Sequence, residues 1–218
     1  MTRVCIVDYG LGNLRSVQKA CFTVGAEAFL TSDPGEVIRA DKIILPGVGA
    51  FGDGMDGLAR AGLVEPLKLV LKTTTPVLGI CLGMQLLFES SEEAPGKPGL
   101  GFFHGRVRRF SGEWFSSPPT TSKEGSKGLK IPQTGWNQLL PRQASCLLAG
   151  ISPGSYAYFN HSYYCEPANE NNCLATTDYG LQYASVVGHG SVYGVQFHPE
   201  KSQAVGLRIL RNFLEGIG

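Results

Sequence analysis

The chain contains no apolar run near the roughly 20 residues that cross a bilayer, no block of like charge, and no two cysteines spaced as Cys-x-x-Cys. Each absence closes a class of function. Nineteen basic side chains against 18 acidic ones leave a net charge of +1, so nothing resembles the electrostatic footprint of a nucleic-acid or anionic-membrane binder. Cys5, Cys21, Cys81, Cys146, Cys165 and Cys173 have no histidine companion at zinc spacing, and no metal site is expected. The opening Met1–Asp8 is too short for a signal sequence and lacks a small-residue cleavage site. A cytoplasmic protein with reduced thiols is the expectation. No internal repeat is visible.

What is present is apolar content of 43% over 218 residues, enough for one sizeable core and a single domain spanning 1–218. Arg3–Asp8 is β-branched and suits a strand covered on both faces; Tyr9–Asn13 turns, and Leu14, Val17, Ala20, Cys21 and Val24 recur at helical spacing up to Gly25. Further strands are expected at Glu27–Thr31, at Lys42–Leu45 and at Pro76–Ile80. Helix is expected from Gly54 through Lys72 with a break near Gly62, then from Met84 to Phe88. Such alternation predicts an α/β fold, a mostly parallel open sheet flanked by helices. Beyond Gly105, apolar runs at 105–110, 156–159 and 183–187 follow one another without helices, which predicts added antiparallel strands in the C-terminal half. The polar, Pro-containing stretch at about 113–130 reads as a flexible surface loop, and Val205 to Leu214 as a closing helix.

Chemistry concentrates in two places. Gly79-Ile80-Cys81-Leu82-Gly83 has the shape of a nucleophile elbow, a strand ending on the nucleophile and turning at once into a helix, with glycines two before and two after to relieve crowding. The helix start favours a thiolate, and the Leu82 amide is placed to face an oxyanion. By itself the pattern also suits a buried structural cysteine. The second place is Phe197-His198-Pro199-Glu200, where proline biases His198 toward an extended backbone so that imidazole and carboxylate leave on one side. Nucleophile, base and orienting acid, here Cys81, His198 and Glu200, are what covalent acyl transfer needs. Pro46-Gly47-Val48-Gly49 ends the third expected strand, where open parallel sheets bind ligands; the amides near Val48 and Gly49 are candidates for the rest of an oxyanion hole, the alternative being a plain glycine turn.

Gly79-Ile80-Cys81-Leu82-Gly83-Met84-Gln85 and Phe197-His198-Pro199-Glu200 resemble the signatures of the class I, or triad, glutamine amidotransferases. Within that family the runs Asp8–Leu14, Pro46–Phe51, Gly135-Trp136-Asn137, Tyr158–Tyr163 and His198–Ser202 are similar to those of the glutaminase subunits of imidazole glycerol phosphate synthase, of histidine biosynthesis. The resemblance implies hydrolysis of L-glutamine through a cysteinyl thioester without a cofactor. It also implies that Gln85, Glu93, Ser162 and Tyr163 hold the substrate. It further implies a heterodimer with a (β/α)8 cyclase subunit that receives ammonia, met by Asn13, Trp136, Asn137, Tyr158 and Lys201. Without it, Gln85 reads equally well as a surface helix residue and Trp136 as a core aromatic. Two positions depart from the family pattern: Gln133-Thr134 stands where His-Met is frequent, and Asn160 where a small apolar residue is frequent.

Overall fold

A computed structural model describes residues 3–115 and 128–217. Most of the stretch expected as a flexible loop thus lies outside the described residues. The elements run β1 (Arg3–Val7), α1 (Leu14–Thr23), β2 (Glu27–Thr31), α2 (Pro34–Ile38), β3 (Lys42–Gly47), α3 (Phe51–Arg60), α4 (Val64–Val70), β4 (Val77–Cys81), α5 (Leu82–Leu86) and β5 (Phe88–Ser91). They continue with β6 (Phe103–Arg109), β7 (Gln133–Pro141), β8 (Ser155–His161), β9 (Tyr163–Pro167), β10 (Cys173–Asp178), β11 (Gln182–His189), β12 (Val192–Val195) and α6 (Gln203–Gly216). Strands β2, β1, β3, β4 and β12 lie side by side and all parallel. From β12 the sheet continues antiparallel through β11, β10, β7 and β8. β9 joins β11 to β6, whose other neighbour, β5, is parallel to it.

Period-two alternation in the parallel strands sorts their side chains to the two faces of the sheet. Val4, Ile6, Ile44 and Ile80 pack with Val17 and Cys21 of α1 and Ile209 and Phe213 of α6. Cys5, Val7, Ile43 and Leu45 pack on the other side with Phe51 and Leu58 of α3 and Leu67 of α4. Each such buried side chain contributes about 1.5–3 kcal/mol of transfer free energy. Because both faces of this parallel layer are covered, its strand ends are the place where an α/β fold binds ligands.

Two differences from the sequence expectations have local causes. The helix after the elbow stops at Leu86, not Phe88, because the carbonyls of Leu86 and Leu87 accept from Leu100 and from Phe102 and Phe103. Segment 99–103 comes so close there that a Cβ on Gly99 would collide with the Phe88 carbonyl. The unexpected α2 begins at Asp33, whose carboxylate accepts from Glu36 N at 2.9 Å, with Pro34 at the first helical position.

Lys42, buried at the start of β3, directs its ammonium to the carbonyls of Phe213 (3.1 Å) and Ile217, at the C-terminal end of α6. The cation satisfies groups a helix end leaves without intrahelical partners. Lys42→Met keeps the stem but orphans those carbonyls. The expected cost is about 1–3 kcal/mol, read as a lower melting temperature.

Candidate active site

The C-terminal ends of β1, β3, β4 and β12 open on the same edge of the sheet, where an α/β fold presents ligands. Cys81 is the last residue of β4. Its backbone sits at φ 53, ψ −108, in the positive-φ region that a residue with a Cβ adopts only under constraint. The glycines on either side explain how the turn closes: a Cβ on Gly79 would lie 2.7 Å from the Gly83 carbonyl and the Met84 amide, and one on Gly83 would run into the Leu45 carbonyl of β3. A thiol at 6% exposure on such a turn is held for more than packing.

β12 pairs in parallel with β4, Val195 opposite Ile80, so the chain leaving β12 arrives beside Cys81. His198 has the extended backbone that Pro199 imposes (φ −98, ψ 99). Its amide donates to the Tyr158 carbonyl at 2.9 Å. Ser202, 1% exposed, locks the turn: its hydroxyl donates to the His198 carbonyl at 2.7 Å and accepts from Tyr158 N at 2.9 Å. His198 Nδ1 lies 3.0 Å from Glu200 Oε1, with both side chains almost wholly buried. Burial works against a charged imidazole here, but hydrogen bonds to Cys81 and Glu200, with their charges, outweigh it and lift the His198 pKa to about 10.

That shift has a sign that can be tested. Since the folded pKa lies above the ordinary 6.5, the stabilisation is complete below about pH 6.5 and is lost as pH rises through about 10. Glu200→Gln removes one source of the elevation. The His198 midpoint, followed by NMR of its ring protons, is expected to fall, and the deficit in melting temperature to be larger at pH 6.5 than at pH 10. A midpoint unmoved by the substitution would contradict the assignment.

Val48, Gly49, Leu82, Gln85, Glu93, Ser162, Tyr163 and Lys201 line one cavity of about 250 Å³ together with Cys81 and His198. This is small for a ligand pocket. Gly49 uses a positive φ, +104. Glu93 has a second attachment, accepting from Phe51 N at 2.7 Å at the start of α3. Asn13 donates to Glu200 Oε1 at 3.5 Å, which puts it behind the acid. Asn137 is turned away, its amide on the Asp178 carbonyl at 2.8 Å and its oxygen on Gln138 N. Trp136 is 46% exposed and edge-on to Tyr158, over which the Lys201 ammonium sits 5.6 Å from the ring centre. It is no core aromatic.

Several contributors went unnoticed in the sequence. Tyr9 is buried against the end of β3, where its hydroxyl donates to the Pro46 carbonyl at 2.8 Å. His161 also lines the cavity; burial takes its pKa down to about 4, and as a neutral ring it donates from Nδ1 to the Tyr163 carbonyl at 2.8 Å. The two departures from the family pattern meet each other: Thr134 and Asn160 face across β7 and β8, and the Thr134 hydroxyl donates to Asn160 Oδ1 at 3.1 Å. Gln133, the third departing residue, accepts from the Tyr183 hydroxyl at 2.9 Å.

A parallel α/β sheet with an elbow cysteine and an imidazole–carboxylate pair at its carboxyl edge is the arrangement that nucleophilic acyl transfer calls for. The chain belongs to the glutamine amidotransferase class-I family, whose profile it matches over residues 5–217. Within it, the chain is 47% identical over 213 residues to an imidazole glycerol phosphate synthase subunit HisH from Symbiobacterium thermophilum, covering 98% of this chain and 93% of that protein. A subunit of the same name from Methanosarcina mazei is 48% identical over 217 residues, 99% of each chain. Among solved structures, a crystal structure of a glutamine amidotransferase superposes with a TM-score of 0.71 at 19% identity over 97% of both chains, a likeness of fold.

Proposed function

We infer that this chain is the glutaminase subunit of an imidazole glycerol phosphate synthase, acting in histidine biosynthesis. The observation that carries the chemistry is Cys81 strained on its elbow, sharing one small cavity with His198, which is itself held by Glu200. In this reading the Cys81 thiolate adds to the carboxamide carbon of glutamine. The C–N bond then breaks as His198 protonates the departing nitrogen, giving ammonia and a γ-glutamyl thioester. Water, deprotonated by His198, adds to the thioester; the C–S bond breaks, releasing glutamate and returning the Cys81 thiolate beside a protonated His198. Glu200 orients His198 and stabilises its cation. The Leu82, Val48 and Gly49 amides receive the oxyanion, while Gln85, Glu93 and the 162–163 backbone hold the polar end of the substrate.

Ammonia passes to a cyclase subunit, which uses it to form imidazole glycerol phosphate and AICAR. A docking role for the β7–β8 face is supported by its outward ladder: Thr134 opposite Asn160, Trp136 opposite Tyr158, and Gln138 hydrogen-bonded to Tyr156. Trp136 and Tyr156 are about half exposed, a concentration of aromatic surface typical of protein contacts. Because Asn160 and Lys201 also line the cavity, a partner seated there covers its mouth. The place of work is the cytoplasm, in keeping with six cysteines that all carry free thiols. No helix among the described residues is long and apolar enough to cross a membrane.

The test is glutamate release by the purified chain, alone and with the cyclase and its aminoimidazole nucleotide substrate. Stimulation of at least about 100-fold is expected, a coupling of 2.7 kcal/mol or so between the two sites. Equal rates with and without the cyclase would redirect the glutaminase to another synthase.

A further inference from the structure

Gln196 is fully buried between Val195 and Phe197, both core residues, yet it carries an amide that is costly to bury unless both ends are satisfied. Both ends are. Its oxygen accepts from Gln85 Nε2 at 3.3 Å, and its nitrogen lies 3.8 Å from Cys81 Sγ. Which way these two amides point is set by a third group: the Tyr163 carbonyl can only accept, and Gln85 Nε2 donates to it at 3.1 Å. With nitrogen fixed on that side, Gln85 presents N–H to the Gln196 oxygen, and Gln196 must then turn its own N–H toward the sulfur. His161 Nδ1 donates to the same Tyr163 carbonyl at 2.8 Å and keeps it in place.

We propose that Gln196 is a positioning residue of the glutaminase, a two-armed amide that donates to the Cys81 sulfur with one arm and orients Gln85 with the other. A donor on the sulfur favours the thiolate and fixes the direction of its attack. A Gln85 whose two N–H bonds are spent in the cavity wall offers the occupant only its carbonyl oxygen. That oxygen selects a ligand bearing N–H at that point, such as a carboxamide or ammonium, over one bearing a carboxylate.

The proposal rests on Cys81 being the nucleophile, and the two are separable by experiment. Gln196→Leu removes both arms; Gln196→Glu keeps an acceptor for Gln85 and replaces the N–H at the sulfur by an acceptor. Iodoacetamide labelling of Cys81 at neutral pH, read by mass spectrometry of its own peptide, is expected to slow by up to about tenfold in both variants as the sulfur loses its donor. Steady-state glutaminase kinetics of the assembled synthase should show kcat lowered about tenfold in both. KM is expected to rise only in the leucine variant. Should Gln196→Leu fail to fold, the near-isosteric glutamate variant carries the test. Labelling rates and kcat that match the wild type in folded variants overturn the role of Gln196 alone. Glutaminase activity surviving in Cys81→Ala overturns the nucleophile and this proposal with it.

Discussion

Cys81→Ala is expected to lower glutamine-dependent turnover by on the order of 10⁴-fold or more, leaving no acyl-enzyme to form. Synthesis from added ammonia should persist in the complex, since nothing in the cyclase reaction itself needs the thiol; loss of both activities would point to misassembly. A second consequence follows from His198. Part of what raises its pKa to about 10 is the hydrogen bond and charge of Cys81, so the midpoint should fall in the alanine variant as well. Strain adds a further expectation. The backbone at Cys81 has φ 53, which alanine tolerates poorly and glycine well, so Cys81→Gly should melt above Cys81→Ala, the strain being worth about 1–3 kcal/mol. Equal melting temperatures would mean that the turn relaxes when the sulfur is gone.

Gly83→Ala is expected to be among the most damaging single-methyl changes in the protein. Its Cβ would occupy the position of the Leu45 carbonyl oxygen, which belongs to the backbone of β3 and cannot rotate aside. Either α5 lifts off β3, breaking the apolar contacts of Leu82 and Leu86, or the elbow unwinds. A loss above about 4 kcal/mol follows, a fall in melting temperature of roughly 10 °C or more for a domain of this size. Gly190→Ala makes the control, because its positive φ of +57 is strained for alanine but its Cβ would meet nothing within 4 Å. There the cost should stay near 1 kcal/mol. Similar losses at the two positions would show that backbone conformation, and not the close approach to β3, governs both.

Much of the parallel half was legible because its signals are local. The strands at 27–31, 42–47 and 77–81 are short, largely apolar runs bounded by glycine, proline or charge, and their ends fell within a residue or two of expectation. α2 went unread because its five residues are too few for a helical period to show. β12, four residues between Ser191 and the His198 turn, was absorbed into a motif. The expected antiparallel additions are present, though β5 beside β6 runs parallel, because partners are chosen across the sheet and not along the chain. At the site, glycine spacing and the His-x-Glu pair pointed to residues that the structure brings together, Cys81 and His198 in one cavity and Glu200 on His198. What they could not announce are attachments across long separations: Asn13 behind Glu200, Glu93 on the Phe51 amide, Ser202 between β8 and His198, and Gln196 on the sulfur. Polar residues of these types occur throughout the chain, and only folding tells which ones meet.

The insertion of β12 beside β4 also dictates when the protein can become an enzyme during its synthesis. A ribosome that has delivered β1 to β4 has made most of the parallel layer, yet β4 is then an open edge with its peptide groups on one side unpaired. The strand that closes this edge is emitted more than 100 residues later, and with it the histidine. Pairing over such a separation gives the chain a high contact order at its very centre, where loop closure is slowest. A nascent chain short of β12 lacks the histidine that the proposed mechanism needs, and until β12 arrives the open edge of β4 is free to pair with other chains.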